Sequence, residues 1–552
     1  MTNGQHDLFS ARGPAARKRL GLVTSGSLIE GLTARLESRA SVEDMRVGQF
    51  VVIAGEKHEF FSMITDVVLE ATNQKVLTDP PNGDAFFYDV LAGTSTYGTL
   101  SLMPRLMLPH DLDAGLLPVK TIPRHFAPVF EAREDDFGRV FGAEGGSRFE
   151  IGRPLDMEVP VCIALDRFVE RSNGIFGKSG TGKSFLTRLL LCGVIHGNVA
   201  SNLIFDMHSE YGWETRSEGS GFVKGLRQLF GSDVLVYTID PQLSRQHSYD
   251  GEIVIGLDQI EIEDVVSLDQ ELNLGATATE SSYLLFDHFK KNWLRELLGM
   301  DAEAIKEFAE SSGAHAGAIS ALKRKLSLVK RLPFVRDNAD FSSVDRLIDA
   351  LAAGRHVVLE FGGPQNRELA YMLVANIVTR RIHRRWIEQT EHFLRTKNEA
   401  DRPRQLMITI EEAHKFLNPG TARQTIFGTI ARELRKYSVT LLVVDQRPSS
   451  IDAEVMSQIG TRITALLNDD KDIDAVFTGV SGSGGLKTVL ASLDSKQQAL
   501  VIGHAVPMPV VVRTRPYDDA FYKAVERHGP RRATPAFIER APQEEIDELF
   551  PD

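Results

Sequence analysis

The run Gly177-Lys178-Ser179-Gly180-Thr181-Gly182-Lys183-Ser184 constrains this chain more than any other stretch. It fits G-x-x-x-x-G-K-[ST], a loop that works only between a strand and a helix. Its glycines let the backbone turn tightly and aim N–H groups at phosphate oxygens. Lys183 then reaches the β- and γ-phosphates, and the Ser184 hydroxyl meets Mg²⁺. The flanks agree with that placement. Gly174-Ile175-Phe176 reads as a short buried strand, and Phe185 to Leu191 continues as a helix whose N-terminus faces the phosphates. A bare Gly/Ser-rich turn would need neither flank. The sequence therefore predicts a nucleoside triphosphate site.

At 552 residues the chain has room for more than one domain, and 42% hydrophobic with 25% charged residues is the composition of a soluble globular protein. No apolar run approaches the length of a membrane span, and Met1 to Lys18 is polar with no h-region. No membrane partner is expected, and the cytoplasm is the expected compartment. Cys162 and Cys192 both fall in apolar surroundings, as packed thiols rather than a disulfide. The net charge of −12 argues against a basic coat but leaves room for a local basic channel.

Periodicity divides the chain. Residues 1–20 read as a polar tail. From 21 to 107, short alternating segments such as Gln49 to Ile53 and Phe60 to Leu69 predict a small β-barrel or sandwich. A linker is expected over 108–150. Apolar β-branched runs then alternate with helix-length stretches over 151–240 and 354–516, as in a mostly parallel sheet covered on both faces, with an antiparallel edge from the closely spaced late strands. Residues 241–353 lose the strand signal and read as a helical insertion. Residues 517–552 read as a C-terminal arm.

Leu406 to Glu412 is a buried strand ending in two acids. Neighbouring strand residues point to opposite faces, so the pair divides the work. Glu411 is placed to hold Mg²⁺ together with Ser184, and Glu412 to polarise the attacking water. Asp445-Gln446-Arg447-Pro448 follows another apolar run, and Gln446 suits a sensor of the γ-phosphate. Asp206-Met207-His208-Ser209-Glu210-Tyr211 suggests a support for the nucleotide, through Asp206 or Glu210. Ala431 to Tyr437 reads as a basic helix end, with Arg432 or Arg435 free to act as an arginine finger toward a neighbouring subunit. Lys290-Lys291 and Lys323-Arg324-Lys325 read as solvated helix faces before they read as DNA contacts.

Together the P-loop, Asp-x-His-x-Glu-Tyr, Ile-x-Glu-Glu-Ala-His, Arg-x-x-Arg-Lys-Tyr and Asp-Gln-Arg-Pro resemble the HerA family of the HerA–FtsK translocases. Leu22 to Leu69 resembles that family's HAS-barrel, and Thr121-Ile122-Pro123 with Phe137 to Gly142 its linker. Asp445 departs from the Ser often found before Gln-Arg-Pro. The resemblance implies a RecA-like core bearing a helical insertion behind a small barrel. It further implies ATP and Mg²⁺ as cofactors, and a homohexamer that moves double-stranded DNA. A NurA-like nuclease or a phage-defence effector would dock on the barrel face. A protein-moving motor of the type IV secretion kind and a small-molecule P-loop kinase are the alternatives. A GTPase lacks support, because no Asn-Lys-x-Asp base-reading motif occurs.

Overall fold

The computed structural model describes residues 17–526 apart from 39, 73–77, 79–90, 92–94, 111–114, 218–220, 243–247, 267, 340–342, 363–366, 423–424, 481–484 and 495–496. Most of the expected N-terminal tail and the end of the expected C-terminal arm therefore lie outside the described residues.

The first part is a closed barrel. Strands β1 (Arg19–Ser27), β2 (Gly31–Leu36), β3 (Phe50–Ala54), β4 (His58–Ala71), β5 (Thr96–Pro109) and β7 (Pro128–Glu131) follow one another in the order β2-β1-β7-β3-β4-β5. A β2–β5 pairing closes the ring, and the short β6 (Leu117–Pro118) adds to β5. β7 comes from the segment expected as linker, and the reason is pairing. β1 and β3 would otherwise leave two open edges, and β7 satisfies both. The long β4–β5 hairpin breaks register at Phe61/Ser62 and Ile64/Asp66, and such bulges let a strand pair coil enough to close.

Strand β3 shows why Phe50-Val51-Val52-Ile53 is apolar throughout rather than alternating. Val51 and Ile53 fill the barrel, whereas Phe50 and Val52 face outward into the main core of the molecule. Phe61 stacks on Phe50 at 5.1 Å, and Phe137 meets both rings edge-on. Phe137 lies in the helix Glu134–Phe141, so Phe137 to Gly142 is a helical wedge gluing barrel to core rather than a plain linker. A barrel strand buried on both faces cannot drift relative to the core behind it.

That core is built on a twelve-stranded sheet. From one edge its strands are Gly251–Glu252, Val234–Thr238, His356–Glu360, Ser201–Asp206, Leu406–Glu411, Val439–Asp445, Asn173–Phe176 and Thr461–Thr464, all parallel to their neighbours. Gln498–Gly503, Val510–Thr514, Arg148–Arg153 and Val161–Ala164 then continue antiparallel. Every residue of the strands ending in Asp206, Glu360, Glu411, Asp445 and Phe176 is buried, which accounts for their apolar middles. The helix Lys183–Gly197 packs behind the P-loop, and its Phe185 contacts Tyr517, whose hydroxyl donates to the Lys224 carbonyl.

The insertion is helical from Ile262 to Lys330 and closes around Trp293, Leu297, Leu322 and Leu326. It is held by charge as well as packing. The 30-residue helix Arg367–Thr396 turns Arg380 toward buried Asp264 at 2.6 Å, and Arg384 grips Glu261 at 2.7 and 2.8 Å. The lysines Lys323 and Lys325 donate to the carbonyls of Met300 and Asn273, so they cap neighbouring turns of the insertion. Among the described residues no helix is long and apolar enough to cross a membrane.

Candidate active site

The parallel strands bring their carboxyl ends to one edge, and the candidate residues gather there. Between the strand Asn173–Phe176 and its helix, Gly180 and Gly182 take φ of 79° and 92°. A Cβ at either would be strained by the backbone, although neither would meet an atom within 4 Å. The loop is thus a cradle open on the side where phosphate oxygens would lie. Gly177 is held differently, with a Cβ there falling 2.8 Å from the Thr181 hydroxyl and 2.9 Å from Ala465. Thr181 and Lys183 both donate to the Lys178 carbonyl, at 2.7 and 2.9 Å, which folds the lysine over the loop. Burial lowers the Lys183 ammonium from its usual range, opposed by the charges of Glu412, Asp445, Glu411 and Glu210. Four acids therefore lie within electrostatic reach of this lysine.

Glu411 ends its strand and is 7% exposed. Tyr371, on the long helix, donates to the Glu411 carbonyl at 3.0 Å and accepts from its N–H at 3.1 Å, so the strand end cannot fray. Tyr211 donates to Glu411 Oε1 at 2.9 Å, whereas Oε2 is buried with no partner. Burial, then the charges of Asp206 and Glu210, push this carboxyl well above the usual range. A carboxylate in that position needs a cation, and the orphaned Oε2 offers it a ligand. Glu411 and the P-loop hydroxyl Ser184 fit Mg²⁺. Among the described residues no three His, Cys, Asp or Glu gather into a metal nest. A phosphate-bridging Mg²⁺ does not require one.

The next residue, Glu412, takes φ of 47°, and this left-handed step turns its carboxylate off the strand toward the neighbouring loop. Gln446 donates to Glu412 Oε1 at 3.2 Å. Asp445, 1% exposed, accepts from the backbone and the Nδ1 of His414 at 2.8 and 2.9 Å and from the Arg447 N–H at 2.8 Å. The bond to Asp445 raises His414 above the usual imidazole range.

The structure thus brings Gly177, Lys178, Ser179, Gly180, Thr181, Gly182, Lys183, Ser184, Glu411, Glu412 and Gln446 to one edge. Asp206 is set beneath them: its two oxygens accept from the N–H groups of Glu210 and Tyr211, so it shapes the loop that presents Tyr211. Arg432 is elsewhere. It lies in the last turn of the helix Ile426–Glu433 and lines a cleft of about 440 Å³ with Arg171, Ser172, Thr440, Gly460 and Gly503, which mark the opposite ends of the strands. Its Nη1 is buried there with no partner. Arg435 lies in the turn Leu434–Tyr437, and its side chain is outside the described residues. Sequence reasoning gave no role to Tyr211, His414, Tyr371 or Arg171. The first two stand within quoted motifs, but nothing in a linear pattern marks Tyr371 or Arg171.

Fold and site define a P-loop nucleoside triphosphatase of RecA-like build, fronted by a β-barrel. The model of the HAS barrel domain matches residues 20–103, and that of the central domain of helicase HerA matches residues 149–382. The chain belongs to the HerA family. It is 25% identical to the DNA double-strand break repair helicase HerA of Sulfolobus acidocaldarius, over 90% of this chain and 92% of that one. The protein of the same description from Pyrococcus furiosus is 22% identical over 72% and 74%. Among solved structures, the conjugative coupling protein TrwBΔN70 with sulphate aligns with 70% of this chain and 92% of its own, at 13% identity and a TM-score of 0.46.

Proposed function

We propose that this chain, an ATP-hydrolysing helicase or translocase by its family, works as a homohexamer that draws double-stranded DNA through a central channel. A nuclease or defence effector would dock on the barrel face. The observation that carries this reading is the division of the site between two sheet edges. Lys183, Glu411, Glu412 and Gln446 share one edge, and Arg432 stands at the other. The intervening strand Val439–Asp445 has seven residues, so the two are separated by about 20 Å at ~3.3 Å per residue. Arg432 cannot serve its own P-loop. A neighbouring copy, turned so that its cleft edge meets this P-loop edge, can be served by it.

Within one such composite site the P-loop N–H groups and Lys183 bind and neutralise the phosphates. Ser184 and Glu411 would hold Mg²⁺, which would supply positive charge to compensate the phosphates. Glu412 accepts the proton of the attacking water, Gln446 fixes Glu412 and senses the γ-phosphate, and the neighbour's Arg432 meets charge that develops in the transition state. The barrel adds no nucleotide chemistry. Repeated around a ring, its surface would make weak contacts to one partner additive. Ile29 and Leu69, 89% and 77% exposed on that barrel, are apolar groups suited to such contact.

The test is native mass spectrometry of the full-length chain with Mg²⁺ and ATP, beside ATPase rates with and without linear duplex DNA at low and high salt. A six-fold species whose turnover is stimulated by duplex, and loses that stimulation as salt rises, is expected. A monomer indifferent to DNA at every salt concentration overturns the reading.

A further inference from the structure

We propose that His414 is a positioning residue for hydrolysis, holding Glu412 and Gln446 in a single register through Asp445. The proposal rests on the reading of Glu412 as the group that polarises water. Glu412 and Gln446 sit on different strand ends, and a single 3.2 Å bond joins them directly. Glu412 is left-handed and has left the strand ladder; its carbonyl accepts from the Lys415 N–H at 2.9 Å, but that bond fixes the backbone and not the carboxylate. The constraint comes two residues later. His414 opens the short helix His414–Leu417 and binds Asp445 twice, through its backbone N–H at 2.8 Å and Nδ1 at 2.9 Å.

A carboxylate only accepts, so Nδ1 carries the hydrogen in that bond. Asp445 Oδ1 meanwhile receives the Arg447 N–H at 2.8 Å, which fixes the turn bearing Gln446. One buried carboxylate therefore clamps both loops, and His414 is its side-chain donor from the Glu412 side. The same Nδ1 lies 3.7 Å from Glu412 Oε2, the oxygen opposite the one Gln446 holds. Glu412 is flanked on both oxygens by groups that Asp445 orients. A serine at position 445 has one oxygen and could not accept all three of these bonds.

The experiment measures basal and duplex-stimulated ATP turnover of the full-length chain, beside affinity for a fluorescent ATP analogue. His414→Ala is expected to lower kcat roughly 10- to 100-fold, the cost of a small misplacement at a reacting centre, with nucleotide affinity unchanged. His414→Asn places an amide N–H near the position of Nδ1 and should recover kcat to within roughly fivefold of wild type, since it restores the donor. Asp445→Asn, which offers one acceptor oxygen for three donors, should resemble His414→Ala and keeps the question open to test if the alanine variant does not fold. In a Glu412→Gln background His414→Ala should cost nothing further, because both act through one group. Wild-type kcat in His414→Ala overturns the proposal. So does an equal loss in His414→Asn, or a fall in affinity that tracks the fall in turnover. If Glu412→Gln itself turns over normally, the underlying reading has failed instead, and the two failures are told apart.

Discussion

The two edges of the central sheet differ in what they lack. The carboxyl edge holds the P-loop with Lys178 and Lys183 and the acids Asp206, Glu210, Glu411, Glu412 and Asp445, with Glu411 Oε2 buried and unpartnered. The opposite edge holds arginines in a cleft, with Arg432 Nη1 buried and unpartnered. Each edge thus keeps one buried polar atom without a partner, an acceptor at one and a donor at the other, and a strand's length keeps them apart within the molecule. A donor and an acceptor left over at opposite strand ends are what a head-to-tail contact between copies would satisfy, and such contacts give rings where the rotation closes and filaments where it does not.

The comparison breaks most visibly through Lys183→Ala. That change removes the lysine folded over the cradle and should abolish nucleotide binding and turnover together, read by fluorescent-nucleotide titration beside phosphate release. Arg432→Ala should leave binding intact and lower turnover by about 10³ to 10⁵, the usual worth of an arginine finger. Mixing it with Lys183→Ala creates interfaces with both edges intact, so part of the activity should return. No recovery in confirmed mixed hexamers would mean the two edges do not meet across a subunit boundary.

Smaller effects sharpen the account of the carboxyl edge alone. Glu412→Gln keeps shape but loses the proton acceptor, so kcat should fall by about 10² to 10⁴ while ATP stays bound. ATP hydrolysis at the wild-type rate would move the role to another group. Tyr211→Phe deprives buried Glu411 of its donor and should weaken the carboxylate by about 1 kcal/mol, read as a roughly fivefold higher Mg²⁺ requirement. An unchanged Mg²⁺ titration would remove Glu411 from the cation site.

A last measurement concerns neither edge and serves as their control. Arg380→Ala strands buried Asp264 in the insertion and should cost about 3–5 kcal/mol of stability, seen in chemical denaturation, with little change in nucleotide affinity. If affinity fell as well, the insertion would be a working part of the carboxyl edge rather than a body held beside it.

The sequence by itself determined the local chemistry. A P-loop is contiguous because its job is done by successive backbone N–H groups, and strand ends such as Glu411-Glu412 and Asp445-Gln446 follow unmistakable apolar runs. The parallel core, its antiparallel edge and the helical insertion are read from the same periodicities. Tertiary structure decided whatever depends on strand order and on both faces of an element. Only the sheet order shows that Tyr371 and Tyr211 converge on Glu411 from 40 and 200 residues away. Only the closing of the barrel shows that Pro128–Glu131 is a strand, because four residues between two open edges carry no periodicity of their own. The separation of Arg432 from Lys183 is likewise invisible in a chain, where helix Ile426–Glu433 and strand Val439–Asp445 run in succession. It takes the reversal of direction between them to put the arginine at the far end of the sheet.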